Sequence, residues 1–345
     1  MSVYNGEEYL ESCLNSILNQ TYSDFEFIII NDGSTDNTAK ILDQYAKLDS
    51  RVSVHHEKEN LKLVRSINKG CRLAKGEYIA RMDADDICNS ERFAIQVRYL
   101  DNHPEISVVG SWVQNIDNLG NALDIWKVPT DPAIIAWTLQ FECCLAQPAI
   151  MMRRELLKSL DYYSVSALQC EDYDLWCRAS AVTQLANIPE ALVQRRIWQD
   201  SRCFTNSEQV EEFHLKYMKR TIERLQQSTV EQSVIKCLRE TTKQQECLGN
   251  AQIIQNVKAT IDRSLQIYRS KTNLSEQSIK TICLDAAKRI YYLAKCTKKI
   301  NLWKSLPFYY ATMLHQPKYF FKQIIRDSIF YKFIRSFQSA PGHST

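Results

Sequence analysis

The 345-residue sequence predicts an α/β fold: a doubly wound, mostly parallel sheet with helices on both faces, followed by an all-α C-terminal region. Three observations predict it. Short β-branched runs alternate with segments of helical periodicity through roughly the first 200 residues. Two of those runs end in acidic turns, Asp32-Gly33 and Asp83-Ala84-Asp85-Asp86, where a strand hands over to the next element. After about Thr205 the strand pattern fades and long amphipathic segments take over.

Each element has its own signal. Leu10, Leu14, Ile17 and Leu18 at helical spacing predict a helix over 6–21. Residues 25–31 (Phe-Glu-Phe-Ile-Ile-Ile-Asn) form a buried strand ending at the Asp32-Gly33 turn. Ser34 is placed to cap a helix reaching Leu48, with Asp36 near its positive end. A strand over 51–57, a helix over 61–75 and a strand over 76–82 come next. Ser90 caps a helix to about His103, and 107–114 is a further strand. Helical spacing then covers 210–227, 229–240, 251–269 and 275–296, with Pro307 and Pro317 breaking the remainder of the chain. A doubly wound sheet opens with a full buried strand, yet only Met1-Ser2-Val3-Tyr4 precede the Asn5-Gly6 turn. Either the first strand is very short or the start at Met1 lies inside it.

Composition excludes several classes. With 45% hydrophobic and 24% charged residues the chain can bury a core, and only 8 Gly and 8 Pro argue against collagen-like or low-complexity sequence. No apolar stretch is long enough to span a bilayer, and the first residues lack the basic and apolar regions of a signal peptide. The 12 Cys are scattered, contain no CxxC, and fit a reduced, cytoplasmic compartment, while the 6 His offer no zinc-binding spacing. The net charge of +3 conceals an asymmetry: residues 288–345 carry +10, which leaves −7 on the rest. Such a tail is either a solvated helical surface or a surface for an anionic partner.

No GxGxxG, GxxxxGK[ST] or GxSxG occurs, so dinucleotide, P-loop and serine-hydrolase chemistry lack support. The remaining candidates are acidic. Asp83 and Asp85, two apart after a strand, can face one side of the crevice where open α/β sheets bind ligands. Two carboxylates repel a diphosphate unless a hard divalent cation, Mg²⁺ or Mn²⁺, lies between them. Asp32 ends its strand at the same edge and can accept hydrogen bonds from a base or ribose. On a helix beginning near Cys170, Asp172 shares a face with Leu175, Trp176 and Ala179, while Glu171 faces Asp174 and Arg178 as a solvent pairing. Partial desolvation of Asp172 raises its pKa and suits it as a base. Each motif also has a bland reading, as a surface turn or as acidic decoration of a helix start.

Together the pieces resemble the family 2 glycosyltransferases with a GT-A fold. The resemblance rests on Val3-Tyr4-Asn5-Gly6-Glu7-Glu8-Tyr9-Leu10, Ser16-Ile17-Leu18-Asn19-Gln20-Thr21-Tyr22 and Ile30-Asn31-Asp32-Gly33-Ser34-Thr35-Asp36-Asn37-Thr38. It continues with Ala74-Lys75-Gly76-Glu77-Tyr78-Ile79-Ala80-Arg81-Met82-Asp83-Ala84-Asp85-Asp86 and Glu171-Asp172-Tyr173-Asp174-Leu175-Trp176. It covers about residues 1–200 and implies a GT-A-like nucleotide-sugar-binding and catalytic domain at 1–204, followed by a helical domain at 205–300 and a basic, aromatic helical tail at 301–345. It further implies a nucleotide-diphospho-sugar donor, with UDP-sugar expected, transfer with inversion, and a glycan or lipid-linked acceptor in surface polysaccharide synthesis. By position, Tyr4 and Asp32 contact the nucleobase, Asp83 the ribose side and Asp85 the divalent metal, and Asp172 takes the acceptor's proton. The chain departs from the family in its clipped first strand, in Lys62-Leu63 where Gly-Leu is usual, and in Trp198 where many relatives carry His.

The tail interleaves aromatics from Trp303 to Phe337 with Lys304, Lys318, Lys322, Arg326, Lys332 and Arg335. It reads either as packing for the helical region or as a peripheral contact with the inner face of the cell membrane; nucleic acid is not expected, because no recognition module appears. The competing function is a catalytically inactive nucleotide-sugar-binding or scaffold protein. A nucleotidyltransferase is more distant still, for want of a Gly-rich, Arg-containing N-terminal loop.

Overall fold

The computed structural model describes residues 1–167, 170–197, 208–242, 250–300 and 302–326. The chain divides into two compact units, Met1–Met218 and Lys219–Thr345. In the first, β1 (Ser2–Val3), α1 (Leu10–Leu18), β2 (Phe27–Asn31), α2 (Thr38–Leu48), β3 (Val52–His56) and α3 (Leu63–Leu73) alternate as the periodicity predicts. Then come β4 (Tyr78–Ala80), β5 (Ile87–Cys88), α4 (Arg92–Asn102), the hairpin β6 (Ile106–Ile116) and β7 (Ala122–Trp126), and α5 (Pro132–Thr138). The unit continues with β8 (Met151–Arg153), α6 (Arg154–Ser159), α7 (Glu171–Ala179) and β9 (Gln184–Arg196).

The strands form a parallel sheet in the order β1-β2-β3 and a larger mixed sheet in the order β4-β8-β6-β9-β5, with β7 on β6. The larger sheet is built on the parallel pair β6 and β9, to which β5, β7 and β8 add antiparallel. Sequence patterning does not mark β5, β7 or β8. Two of these are only two or three residues long, and β7 lies largely exposed, so none shows the apolar alternation of a half-buried strand. The core runs through Leu10, Leu14, Ile29, Leu42, Val109 and Val113, all fully buried.

The structure corrects two predicted caps. α2 starts at Thr38 with Asn37 at its N-cap, and α4 starts at Arg92 with Glu91 there, neither making a side-chain cap bond. The Ser34 hydroxyl is used elsewhere, as acceptor for the Asn5 N–H, and α1 begins only at Leu10. The ten described cysteines are free thiols, nine of them buried.

A buried cation organises the larger sheet. The Arg92 guanidinium, fully buried, donates to Gln96 Oε1 at 2.9 Å and to the carbonyls of Arg81 and Ile150 at 2.8 and 3.0 Å. Gln96 passes the connection on by donating to Ala149 O and Val109 O. Buried polar groups persist only when partnered in this way.

The division between units falls inside α8 (Glu208–Gln226). Beyond it lie α9 (Gln232–Thr242), α10 (Ala251–Arg269), α11 (Glu276–Ile300), α12 (Leu302–His315) and α13 (Pro317–Arg326), so the described part of the second unit is helical. Ile235, Leu238, Ile254, Ile261, Ala286 and Ile290 are fully buried there. Pro307 does not break the chain but sits inside α12, while Pro317 opens α13, where its missing N–H costs nothing. Part of the aromatic tail packs inward: Phe308 and Phe320 are buried, and Tyr309 and Tyr319 meet the Tyr291 ring. Tail residues 327–345 lie outside the described residues, as does Trp198.

Replacing Arg92 by Ala strands the carbonyls of Arg81 and Ile150 and empties a large side-chain volume. We expect a loss of about 3 kcal/mol in unfolding free energy by urea denaturation, with most of the deficit kept in Arg92→Lys, which cannot reproduce the fork.

Candidate functional site

The parallel strands β1, β2 and β3 end at one edge of their sheet, and the turns after the first two are clasped together. Asn5 takes the left-handed conformation (φ 50°), which Asn tolerates, and directs the chain toward the loop after β2. Asn5 N–H donates to Ser34 Oγ at 3.0 Å, Gly6 N–H to Thr38 Oγ1 at 2.9 Å and Glu7 N–H to Asp36 Oδ2 at 3.1 Å. In return Thr35 N–H donates to Asn5 Oδ1 and Asn37 N–H to Glu7 Oε2, both at 2.8 Å. This clasp is why two segments about 30 residues apart share so polar a composition. Tyr4 stands out from the turn, 50% exposed.

Asp32, at the end of β2, is only 2% exposed, and its Oδ1 accepts the Leu61 N–H at 2.7 Å. Gly33 (φ +74°) presses against the backbone of Glu59 and Asn60, where a Cβ would lie 2.9 Å from a carbonyl carbon; only Gly fits. Just beyond that contact, Lys62 takes φ 73°, ψ 153°, a region that is nearly glycine's alone.

On the other side of the Tyr4 turn lies the Asp83-Ala84-Asp85-Asp86 loop; a Cβ on Gly6 would come within 4.0 Å of the Ala84 methyl. The buried Arg81 guanidinium pairs with Asp83 at 2.6 Å and also donates to Met82 O. Asp85 is half-buried, and its carbonyl accepts from Arg196 Nε at 3.0 Å. Asp86 turns inward, its Oδ1 accepting the Arg196 N–H at 2.8 Å; burial, together with the charges of Asp83 and Asp85, pushes its carboxyl well above the carboxylate range. Arg196 itself is buried, also donates to Asp117 O and Asn118 O, and lies 4.2 Å from the Tyr9 ring centroid. Sequence reasoning misses this residue: the Arg195-Arg196 pair after an apolar run is visible, but not that one guanidinium closes the acidic loop.

α7 supplies Asp172. Its Oδ1 accepts the Tyr173 N–H at 2.6 Å, and its carboxyl is pushed up to about 7, first by desolvation, then by the charge of Glu171 and, more weakly, of Asp83. The Asp83 charge thus reaches Asp172 from the acidic loop. Asp174 and Arg178 are not the solvent pairing that spacing suggests. Asp174 is 3% exposed and pairs with Arg178 at 2.7 Å, and Arg178 donates onward to Leu160 O and Tyr162 O. Glu171 is buried as well. Tyr163 packs into the same neighbourhood, within reach of the Arg81, Asp172 and Glu171 charges, and neither its hydroxyl nor Arg81 Nε has an acceptor among the described residues. Buried donors of this kind are suited to a polar ligand.

The structure thus sets the Asp83-to-Asp86 loop beside the Tyr4 turn, with Asp172 within reach of the Asp83 charge, while Asp32 faces the Leu61 side of the clasp. No group of three His, Cys, Asp or Glu that could cage a metal exists among the described residues. The oxygen-only pair Asp83 and Asp85 nonetheless fits Mg²⁺ or Mn²⁺, which bind through one or two carboxylates when substrate phosphates complete the shell. No helix among the described residues is long and apolar enough to cross a membrane.

Comparison with known proteins agrees with this picture. The profile described as Glycosyl transferase family 2 matches residues 1–161. An uncharacterized glycosyltransferase of Haemophilus influenzae is 36% identical over 203 residues, 56% of this chain and 63% of that protein, so the match spans less than two thirds of that relative. The O-antigen biosynthesis glycosyltransferase WbnJ of Escherichia coli is 36% identical over 180 residues, 52% of this chain and 69% of WbnJ. Among solved structures, S. aureus TarS 1–349 in complex with UDP-GlcNAc superposes with a TM-score of 0.54 at 18% identity, covering 86% of this chain and 87% of that one, a likeness of fold.

Three measurements check the site. The Asp172 carboxyl should titrate near neutrality by ¹³C NMR, and Glu171→Gln should lower its midpoint. Because the folded-state pKa lies above the unfolded value, Asp172 makes stability fall as pH rises from about 4 to about 7. Asp172→Asn should therefore unfold at a higher temperature than the parent at pH 8 and show no such gain at pH 4. Lys62→Gly, which relieves the positive φ, should raise unfolding free energy by about 1 kcal/mol.

Proposed function

The chain belongs to the family 2 glycosyltransferases, and from that premise we propose that it transfers a sugar from a nucleotide-diphosphate donor, a UDP-sugar, to a hydroxyl of a glycan or lipid-linked acceptor, with inversion, in surface polysaccharide synthesis. The observation that carries this reading is the Asp172 carboxyl, raised to about 7 beside the acidic loop that ends in Asp85 and Asp86. A group with that pKa is ionised in about half the molecules at neutral pH, yet basic enough to take a proton from an attacking hydroxyl.

Tyr4 and Asp32 line the nucleobase end of the site, the first as an exposed ring and the second as a buried carboxylate at the strand end. Asp83, held by Arg81, faces the ribose side. Asp85 would hold the divalent cation, which when bound supplies charge stabilisation for the departing diphosphate. Asp172 accepts the proton of the acceptor hydroxyl as its oxygen attacks the anomeric carbon opposite the leaving group. The new glycosidic bond forms as the bond to the diphosphate breaks, and a single displacement inverts the centre. Hexose and N-acetylhexosamine donors both suit this reaction. The O-antigen role in WbnJ's name supports the polysaccharide assignment. Charge supports an acceptor at a membrane surface: residues 288–345 carry +10, and Tyr310, Leu314 and Phe321 are exposed.

The test is release of nucleoside diphosphate from sugar nucleotides with Mn²⁺ or Mg²⁺ and an extract of lipid-linked glycan. Turnover should rise with pH through about 7, and Asp172→Asn should reduce kcat by about 10²- to 10⁴-fold with donor affinity retained. Donor binding without turnover in either protein would instead mark a catalytically inactive nucleotide-sugar-binding protein.

A further inference from the structure

α3 contains no acidic residue, and its two sides have opposite character. Val64, Ile67, Asn68 and Cys71 are buried, while Arg65, Lys69 and Arg72, at i, i+4 and i+7, share the outward side. Lys58 and Lys62 precede the helix and Lys75 follows it, so residues 58–75 hold six cations against one acid, Glu59. Five of the six are exposed, and Lys69 is half-buried and paired with Glu57. Lys58, Lys62, Arg65 and Lys75 form no ion pair among the described residues. Arg72 lies over the Tyr162 ring, 4.6 Å from its centroid. This strip of +5 stands in a unit, residues 1–218, whose formal net charge is −11. Backbone strain marks the same place. Lys62 holds φ 73°, ψ 153°, a conformation in which glycine would be unstrained, so a cation is kept at the leading end of the strip against a conformational cost.

We propose that the outward face of α3 docks the first unit on an anionic lipid bilayer, an inference that rests on the lipid-linked acceptor of the proposed function. Three features commit the face to that partner. Its cations lie in a row along one side of a single helix, which suits a plane of distributed negative charge. Leu73, 38% exposed beside Arg72, adds an apolar contact for the headgroup layer. The two ends of the strip adjoin the two ends of the proposed site. Leu61, next to Lys62, donates its N–H to Asp32, and Tyr162, under Arg72, precedes Tyr163, which lies within reach of the Asp172 charge. The acidic remainder of the unit is repelled by the same bilayer, so attraction is confined to this face and fixes which side of the unit turns toward the lipid.

The experiment is co-sedimentation of the full-length chain with vesicles of phosphatidylcholine, alone or mixed with phosphatidylglycerol, at about 0.1 M salt. The parent should bind the mixed vesicles and leave the neutral ones. Lys62→Gln, Arg65→Gln and Arg72→Gln combined should weaken that binding by about 100-fold, about fivefold for each charge removed. Lys62→Arg, Arg65→Lys and Arg72→Lys combined should bind as the parent does, because a bilayer responds to charge rather than to the geometry of one headgroup. Four results would overturn the proposal. The parent could ignore the mixed vesicles or bind both kinds equally, which needs no variant to fold. The Gln variant could keep the parent's affinity, which assigns the binding to the C-terminal tail. The charge-keeping variant could lose affinity, which marks a shaped phosphate site. The parent could bind single-stranded RNA in preference to the vesicles. Vesicle binding requires neither donor nor turnover. A chain that docks without transferring sugar refutes the proposed function alone, and one that transfers sugar without docking refutes this inference alone.

Discussion

A buried guanidinium anchors the backbone immediately ahead of the acidic loop. Arg92 is fully buried and held not by a carboxylate but by carbonyls from the chain segments after β4 and before β8, with Gln96 extending the set to β6. The Arg81 and Ile150 carbonyls belong to irregular backbone at strand ends, where the ladder cannot satisfy every acceptor. A forked cation with several donors can satisfy several such acceptors at once. One side chain of a helix therefore holds the backbone at Arg81, two residues before Asp83.

From above, a second guanidinium completes the restraint. Arg196, at the end of β9, takes the Asp85 carbonyl and the hairpin carbonyls of Asp117 and Asn118, while its own N–H bonds to Asp86. Arg81 adds a third positive group, paired with Asp83. Three carboxylates within four residues would repel one another in a loop left to itself. Burial and the Asp83 and Asp85 charges drive the pKa of Asp86 upward, and the Arg196 N–H and the Arg195 charge oppose that rise. The sequence shows the acids because they are contiguous; the cations come from positions 81, 92 and 196.

That difference explains which features are legible in the sequence. Parallel strands and their helices declare themselves through periodicity, and β2, α3 and α10 lie close to where spacing puts them. Caps at Ser34 and Ser90 do not form, because a hydroxyl near a helix start has more than one available donor. At Ser34 the Asn5 turn, 29 residues away, has the stronger claim. The Glu171 face reads as exposed because it carries charge at helical spacing. Spacing cannot reveal that Arg178 has two carbonyl acceptors at Leu160 and Tyr162, which make a buried ion pair tolerable. Short antiparallel strands such as β8 escape notice because three residues carry no period.

The Asp83 charge, itself paired with Arg81, is the weakest of the causes that raise the Asp172 carboxyl, so a change of charge at that loop would shift Asp172 in the proposed site. A base whose pKa sits near neutrality is the group most responsive to such shifts, because its ionised fraction changes most steeply there. Desolvation by the α7 surroundings, which sets the larger part of the elevation, thus makes the carboxylate sensitive to the occupancy of its neighbour, and an ordinary surface aspartate in the same position would not be.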